Sequence, residues 1–258
     1  MVMPITKSTI RYNEQQHLDL YPVDEPARPL VVCVHGGGFI SGSRDDKRCQ
    51  QAAEMLTGSG INCASIDYAL ASAKNRFAKW PRNMMDVADA LAWLSDQADH
   101  YGYDFGRLAM FGFSAGCCLS NLYIQGGRRL YQQIGYQTPV FAVRALVGFY
   151  GPYDFPSRQA ERRPKYEETA RDISPSHWLR TGGTGQSPPV FHVQGDRDEI
   201  VYPSQHEMFQ SDYLDRGLTF VPRIAPGFGH AFAPRDSNSD GLEIDLGPEI
   251  IRFLDEYL

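Results

Sequence analysis

The sequence predicts an α/β protein with a mostly parallel central sheet and helices on both faces. Three observations carry that expectation. Short apolar, β-branched runs such as residues 30–34 and 142–149 have the length of strands and lack a polar face, as strands buried on both sides do. Helix-like segments separate them, and alternation of this kind builds a parallel sheet. At residues 107–120 an apolar run enters Gly112-Phe113-Ser114-Ala115-Gly116 and continues as small and apolar residues suited to a helix. Strand, tight glycine-flanked turn and helix in that order make a nucleophile elbow.

Composition bounds the rest. The 258 residues are 42% hydrophobic and 22% charged, an ordinary globular balance with length enough for a sizeable core. No repeat, low-complexity tract or linker divides the chain, so one domain over residues 1–258 is expected. A formal net charge of −6 argues against nucleic acid or an anionic membrane as partner. The first residues lack a long apolar stretch, and no run reaches membrane-spanning length. The five cysteines are odd in number and lack a metal-binding spacing. Buried free thiols in a reducing cytoplasm are the expectation.

Taken in order, residues 8–22 alternate and stop at Pro22, as opening antiparallel strands would. Residues 22–29 form a proline-rich loop before the 30–34 strand. A helix over residues 45–57 ends near Gly58, and residues 61–66 make the next strand. Pro81 opens a helix whose stripe (Met84, Val87, Ala88, Leu91, Trp93, Leu94) is packing surface. Residues 101–106 read as a loop into the elbow strand, and Gly126-Gly127 breaks the helix after it. Residues 154–188 are polar and irregular, with room for a small lid and a solvated helix at 161–168. Strands at 189–194 and 218–224 flank a helix from Pro203 to about Arg216, and Pro248 starts a terminal helix.

A serine hydroxyl needs a base in contact and an acid to orient that base. Ser114 sits on the elbow, and the chain supplies the others later. Of seven histidines, only His206 and His230 follow the acidic cluster at 196–199. His206 falls in a helix directly after it, with too little chain to return to Ser114. His230, flanked by Gly229 in a loop, is the candidate base. Asp196, Asp198 and Glu199 all compete as the acid. The 30–34 strand ends in His35-Gly36-Gly37-Gly38-Phe39, where glycines can point bare amides into a cleft. Gly37 and Gly38, with the amide of Ala115, are candidate oxyanion donors. His35 reads as a structural brace of that loop. A phosphate cradle is excluded, because neither Lys-Ser/Thr nor Gly-x-Gly-x-x-Gly follows.

These stretches together resemble the α/β-hydrolase esterases that include hormone-sensitive-lipase-like carboxylesterases and bacterial carbohydrate acyl esterases. The resemblance rests on His35 to Gly42, Ser65 to Tyr68, Pro81 to Leu94, Gly112 to Gly116, Gly195 to Val201 and Gly229-His230. It implies an α/β-hydrolase fold with little or no cap, since few residues precede the His-Gly-Gly-Gly strand. The family's Gly-x-x-Asp-x-x-Val pattern maps onto Gly195, Asp198 and Val201 and selects Asp198. Acyl transfer through an acyl-enzyme is implied, with no metal and no organic cofactor. The expected substrate is a small short-chain ester, including acetyl or feruloyl groups on carbohydrates. Phe39, Phe113 and Phe232 are candidates to contact it. An arylformamidase-type amidase and a non-catalytic binding module are the alternatives, and the sequence leaves the oligomeric state open.

Overall fold

The structure, a computed structural model, describes residues 6–155, 167–182 and 187–258. Eight strands form one sheet: β1 (Ser8–Arg11), β2 (His17–Tyr21), β3 (Arg28–Val34), β4 (Asn62–Ile66), β5 (Tyr103–Phe113), β6 (Ala145–Phe149), β7 (Val190–Gly195) and β8 (Phe220–Ala225). Their order across the sheet is β1-β2-β4-β3-β5-β6-β7-β8. Only the β1–β2 and β2–β4 pairings are antiparallel. The other five are parallel. Parallel strands need crossovers, and the helices supply them.

One face carries α2 (Arg82–Asp96), α4 (Ala115–Gln133), α6 (Pro175–Thr181) and α7 (Pro203–Leu214), which bury Leu91, Leu122, Trp178 and Phe209 in a common core. The other carries α1 (Lys47–Gly58) and α8 (Gly247–Tyr257), which bury Leu56 and Leu254. The strand pleat divides the side chains between them. Leu108 and Met110 of β5 enter the first core, while Ala109, Phe111 and Phe113 enter the second.

Several expectations about elements need correction. The stretch at 101–106 ends a short helix, α3 (Ala98–Tyr101), and already belongs to β5, where Tyr103 pairs with Arg28 across a register shift. The expected break after the elbow helix is present: Gly127 is non-helical (φ 46°, ψ −140°), and a second helical segment continues beyond this kink to Gln133, with Leu130 and Tyr131 buried in the core. Within the polar 154–188 span lie α5 (Glu167–Asp172) and α6, the latter begun by Pro175 at its first position. Residues 156–166 and 183–186, including most of the solvated helix expected at 161–168, lie outside the described residues. A two-stranded hairpin, β9 (Arg235–Ser237) with β10 (Glu243–Asp245), was not anticipated, although Asp240-Gly241 in its loop is a turn signal. Among the described residues no helix is long and apolar enough to cross a membrane.

Beneath β7, the fully buried His192 meets His206 of α7 through their Nδ1 atoms, so one ring must donate and the other accept. Burial pushes both rings below the ordinary histidine value, His206 to about 4. The denatured chain therefore takes up these protons before the native fold does, and stability should fall as pH drops from about 6.5 toward 4. We expect urea unfolding at pH 4.5 to show a loss of more than about 1 kcal/mol relative to pH 7. His206→Gln should show a smaller acid-induced loss. An equal loss in the variant would remove the pair as its source.

Candidate active site

Ser114 lies between β5 and α4 with φ 49° and ψ −114°, backbone that a side-chain-bearing residue adopts only under constraint. The constraint comes from its flanking glycines. A Cβ on Gly116 would stand 2.0 Å from the Val34 carbonyl oxygen, and one on Gly112 would stand 2.5 Å from the Cys117 Cα. Only hydrogen side chains allow α4 to start this close to β3 and β5. The Ser114 amide donates to the Phe149 carbonyl at 2.9 Å, tying the turn to the end of β6. Its side chain is thus held at the C-terminal edge of the sheet, at the positive end of a long helix.

His230 follows β8, and Asp198 follows β7. The structure brings both to Ser114: His230 Nε2 lies 2.9 Å from Ser114 Oγ, and His230 Nδ1 lies 2.7 Å from Asp198 Oδ2. Asp198 is buried, and burial works against its ionisation. Hydrogen bonds from His230 and from the amides of Val201 and Ile200 outweigh that and hold its carboxyl below the usual range. An ionised carboxylate only accepts, so His230 must carry its proton on Nδ1. Its Nε2 is then left as an acceptor for the Ser114 hydroxyl. The rival acids sit elsewhere. Asp196 accepts from the Gly227 amide at 2.7 Å as a turn brace, and Glu199 is exposed.

Gly37 and Gly38 occupy positive φ, 112° and 60°, in the turn after β3. Among the described residues, the amides of Gly37, Gly38 and Ala115 meet no acceptor. The turn is closed instead by Ile40 and Ser41 donating to the Gly37 carbonyl, each at 3.1 Å. His35 is buried, stacked on Tyr68 with ring centroids 4.2 Å apart, with Nδ1 2.6 Å from the Gly36 carbonyl. That is the bracing position. Burial lowers its pKa, keeping it neutral.

The three phenylalanines differ. Phe39 packs with Phe77 and Phe155 in a ring cluster reached from the loops after β3, β4 and β6. Phe113 is fully buried against Phe111, Phe149 and Tyr150. Phe232 packs on Phe149, Tyr150 and Phe228. These last two are core rings. Ala109, Phe111 and Phe113 of β5 face the second core, and Phe232 fills the same layer.

Two neighbours were missed in the sequence. Gln194 Nε2 donates to Asp198 Oδ2 at 3.0 Å and to the Val201 carbonyl at 3.1 Å, so it orients the acid and its turn. A glutamine in a fully buried strand was its signal. Tyr150 packs its ring on His230, and only its place at the end of a strand marked it.

Esterase LipC of Mycobacterium tuberculosis is 29% identical over 238 residues, covering 84% of this chain and 57% of that protein. Esterase LipQ of the same organism is 25% identical over 217 residues, covering 79% and 50%. The chain spans about half the length of these curated relatives. A truncated carbohydrate esterase from gut microbiota superposes with a TM-score of 0.78 at 18% identity, covering 98% of this chain and 96% of that one. The butyrate-bound esterase Est2 of Thermogutta terrifontis gives 0.78 at 20% identity, covering 98% and 93%. Likeness at that level shows the fold, which is the expected α/β-hydrolase fold. The BD-FAE family model matches residues 18–181, a stretch that takes in Gly37, Gly38 and Ser114. Since it spans more than half of the 258 residues, the chain belongs to the BD-FAE family.

Proposed function

We propose that the chain is a serine esterase that hydrolyses small carboxylic esters through an acyl-enzyme. The observation that carries the reading is the continuous contact Ser114 Oγ, His230, Asp198 beside three unengaged amides. Neutral His230 takes the Ser114 proton at Nε2 as Oγ attacks the ester carbonyl. The amides of Gly37, Gly38 and Ala115 receive the oxygen that becomes negative. His230 then passes its proton to the leaving alcohol and later activates water against the acyl-enzyme. Asp198 keeps the tautomer and offsets the imidazolium charge.

The reading takes residues 1–258 as one catalytic domain, and its partner is a small-molecule ester. Five free, buried cysteines among the described residues favour a reducing, cytoplasmic setting. The substrate reading is a short acyl group, acetyl to butyryl, with a carbohydrate as one class of alcohol. The gut carbohydrate esterase and the butyrate-bound Est2 support it by fold likeness. Phe39, beside the oxyanion turn, is the aromatic assigned to the acyl or aryl group.

Ser114→Ala should lose roughly 10⁴-fold or more in turnover of p-nitrophenyl acetate. The parent should be labelled stoichiometrically by a fluorophosphonate, and the variant not at all. A variant keeping a tenth of the parent rate would remove Ser114 as nucleophile.

Asp198→Asn should cost up to about 10⁴-fold, because an amide at this position favours the wrong imidazole tautomer. Asp196→Asn, which touches only the Gly227 turn, should stay within about threefold of the parent. Equal losses at the two positions, measured as kcat/KM, would reassign the acid.

Acyl preference should favour acetate and butyrate over octanoate and palmitate. Each methylene gains about 0.8 kcal/mol only while apolar walls enclose it. Phe39 and Phe155, each 5% exposed, are already packed on one another and on Phe77, which leaves little free wall. Comparison of kcat/KM for the four p-nitrophenyl esters below the micelle limit checks this. A preference for octanoate or palmitate would overturn the short-chain reading.

A further inference from the structure

Tyr150 immediately follows β6 and has a backbone no tyrosine adopts without constraint, φ 39°. Its amide donates to the Val193 carbonyl of β7 at 2.8 Å, which continues the sheet one residue past the strand. The ring is fully buried and lies against the imidazole of His230, with centroids 4.6 Å apart at 57°. The hydroxyl donates to the Phe232 carbonyl at 2.6 Å, two residues beyond His230. One side chain therefore touches the ring of the proposed base and also ties down the chain that carries it. Ala231, between the two contacts, is itself at positive φ (70°), so this loop is bent and needs an outside hold.

The same phenol is also reached from the other side of the site. The Arg48 guanidinium lies near enough to interact with it electrostatically. Arg48 makes a two-pronged pair with Asp46, Nε to Oδ1 at 2.7 Å and Nη2 to Oδ2 at 2.6 Å. Asp46 in turn caps α1 by accepting from the Arg48 amide at 2.9 Å. α1 is the first helix after the His-Gly-Gly-Gly turn.

We propose that Tyr150 is a positioning residue for His230. Its ring and its hydroxyl bond to Phe232 hold the imidazole at the distance from Ser114 that proton transfer requires. The inference rests on the esterase reading, in which His230 is the base. The strain at Tyr150 is consistent with it, since a left-handed tyrosine persists only where the surroundings over-determine it.

The test is a double-mutant cycle on hydrolysis of an activated aryl ester, whose leaving group needs little protonation. Tyr150→Phe keeps the ring and removes the hydroxyl with its bond to the Phe232 carbonyl. It should lower kcat by about 10- to 100-fold, as small misplacements of a catalytic group do. KM should stay within about twofold. Tyr150→Leu, which also removes the ring, should lose more, so that the Phe variant counts as partial rescue. In a His230→Ala background, Tyr150→Phe should change the residual rate by less than about twofold, because the group it positions is gone. An unchanged kcat in Tyr150→Phe, or the same factor lost in both backgrounds, would overturn the inference while leaving the esterase reading intact. If His230→Ala alone kept the parent rate, the esterase reading would fall and the role of Tyr150 with it.

Discussion

The approach of α4 to β3 is the constraint on which the site depends. The helix begins so close to the strand that the backbone of Gly116 leaves no room for a methyl group beside the Val34 and His35 carbonyls. That approach aims the Ser114 turn outward and places the first amide of α4 beside the glycine turn after β3. Ser114 and the amides proposed to serve it are positioned by one backbone contact. A packed α/β sheet can hold a strained serine because its neighbours in β3, β5 and β6 are buried on both faces and do not yield.

The loops that converge on Ser114 are held by charge and aromatic contacts. Arg44, just past the glycine turn, bridges Asp19 of β2 and Asp67 after β4, so the oxyanion turn is anchored to two strands of the sheet. Lys7 and Thr9 complete the shell of the buried Asp19, whose carboxyl they and Arg44 hold below the usual range against the cost of burial. An acid with this many partners tolerates burial, whereas removing one partner leaves a charge unpaired in the interior. On the opposite side, Phe113, Phe149, Tyr150, Phe228 and Phe232 form a continuous aromatic layer under the His230 loop. That layer explains why two phenylalanines near the cleft in sequence point into the core.

The electrostatics of the triad follow from its placement. Asp198 ends up buried, yet ionised, because the turn after β7 aims two of its own amides at one carboxylate oxygen while Gln194 and His230 donate to the other. The local turn thus keeps the charge that fixes the imidazole tautomer, with the proton on Nδ1 and Nε2 facing Ser114.

Much of this was legible in the residues alone. Continuous β-branched runs separated by helical stretches define a parallel sheet, because period and length are local properties. The glycines around Ser114 and after His35 mark close backbone approaches, which no other residue type permits. The order serine, acid, histidine also survives, since each follows its own strand. What required the folded chain depends on contacts between distant residues. The choice of Asp198 over Asp196 from the residues themselves turned on which carboxylate faces His230, 32 positions away. The glycine break after α4's first part was legible, whereas the helical segment that resumes beyond Gly127 depended on burial of Leu130 and Tyr131 in the core. Tyr150 carried no local signal beyond its place at the end of a strand, because the role proposed for it comes from a ring contact and a carbonyl about 80 residues on. Local chemistry determined which elements and which reactive groups this protein has. Packing across the sheet decided which of those groups meet.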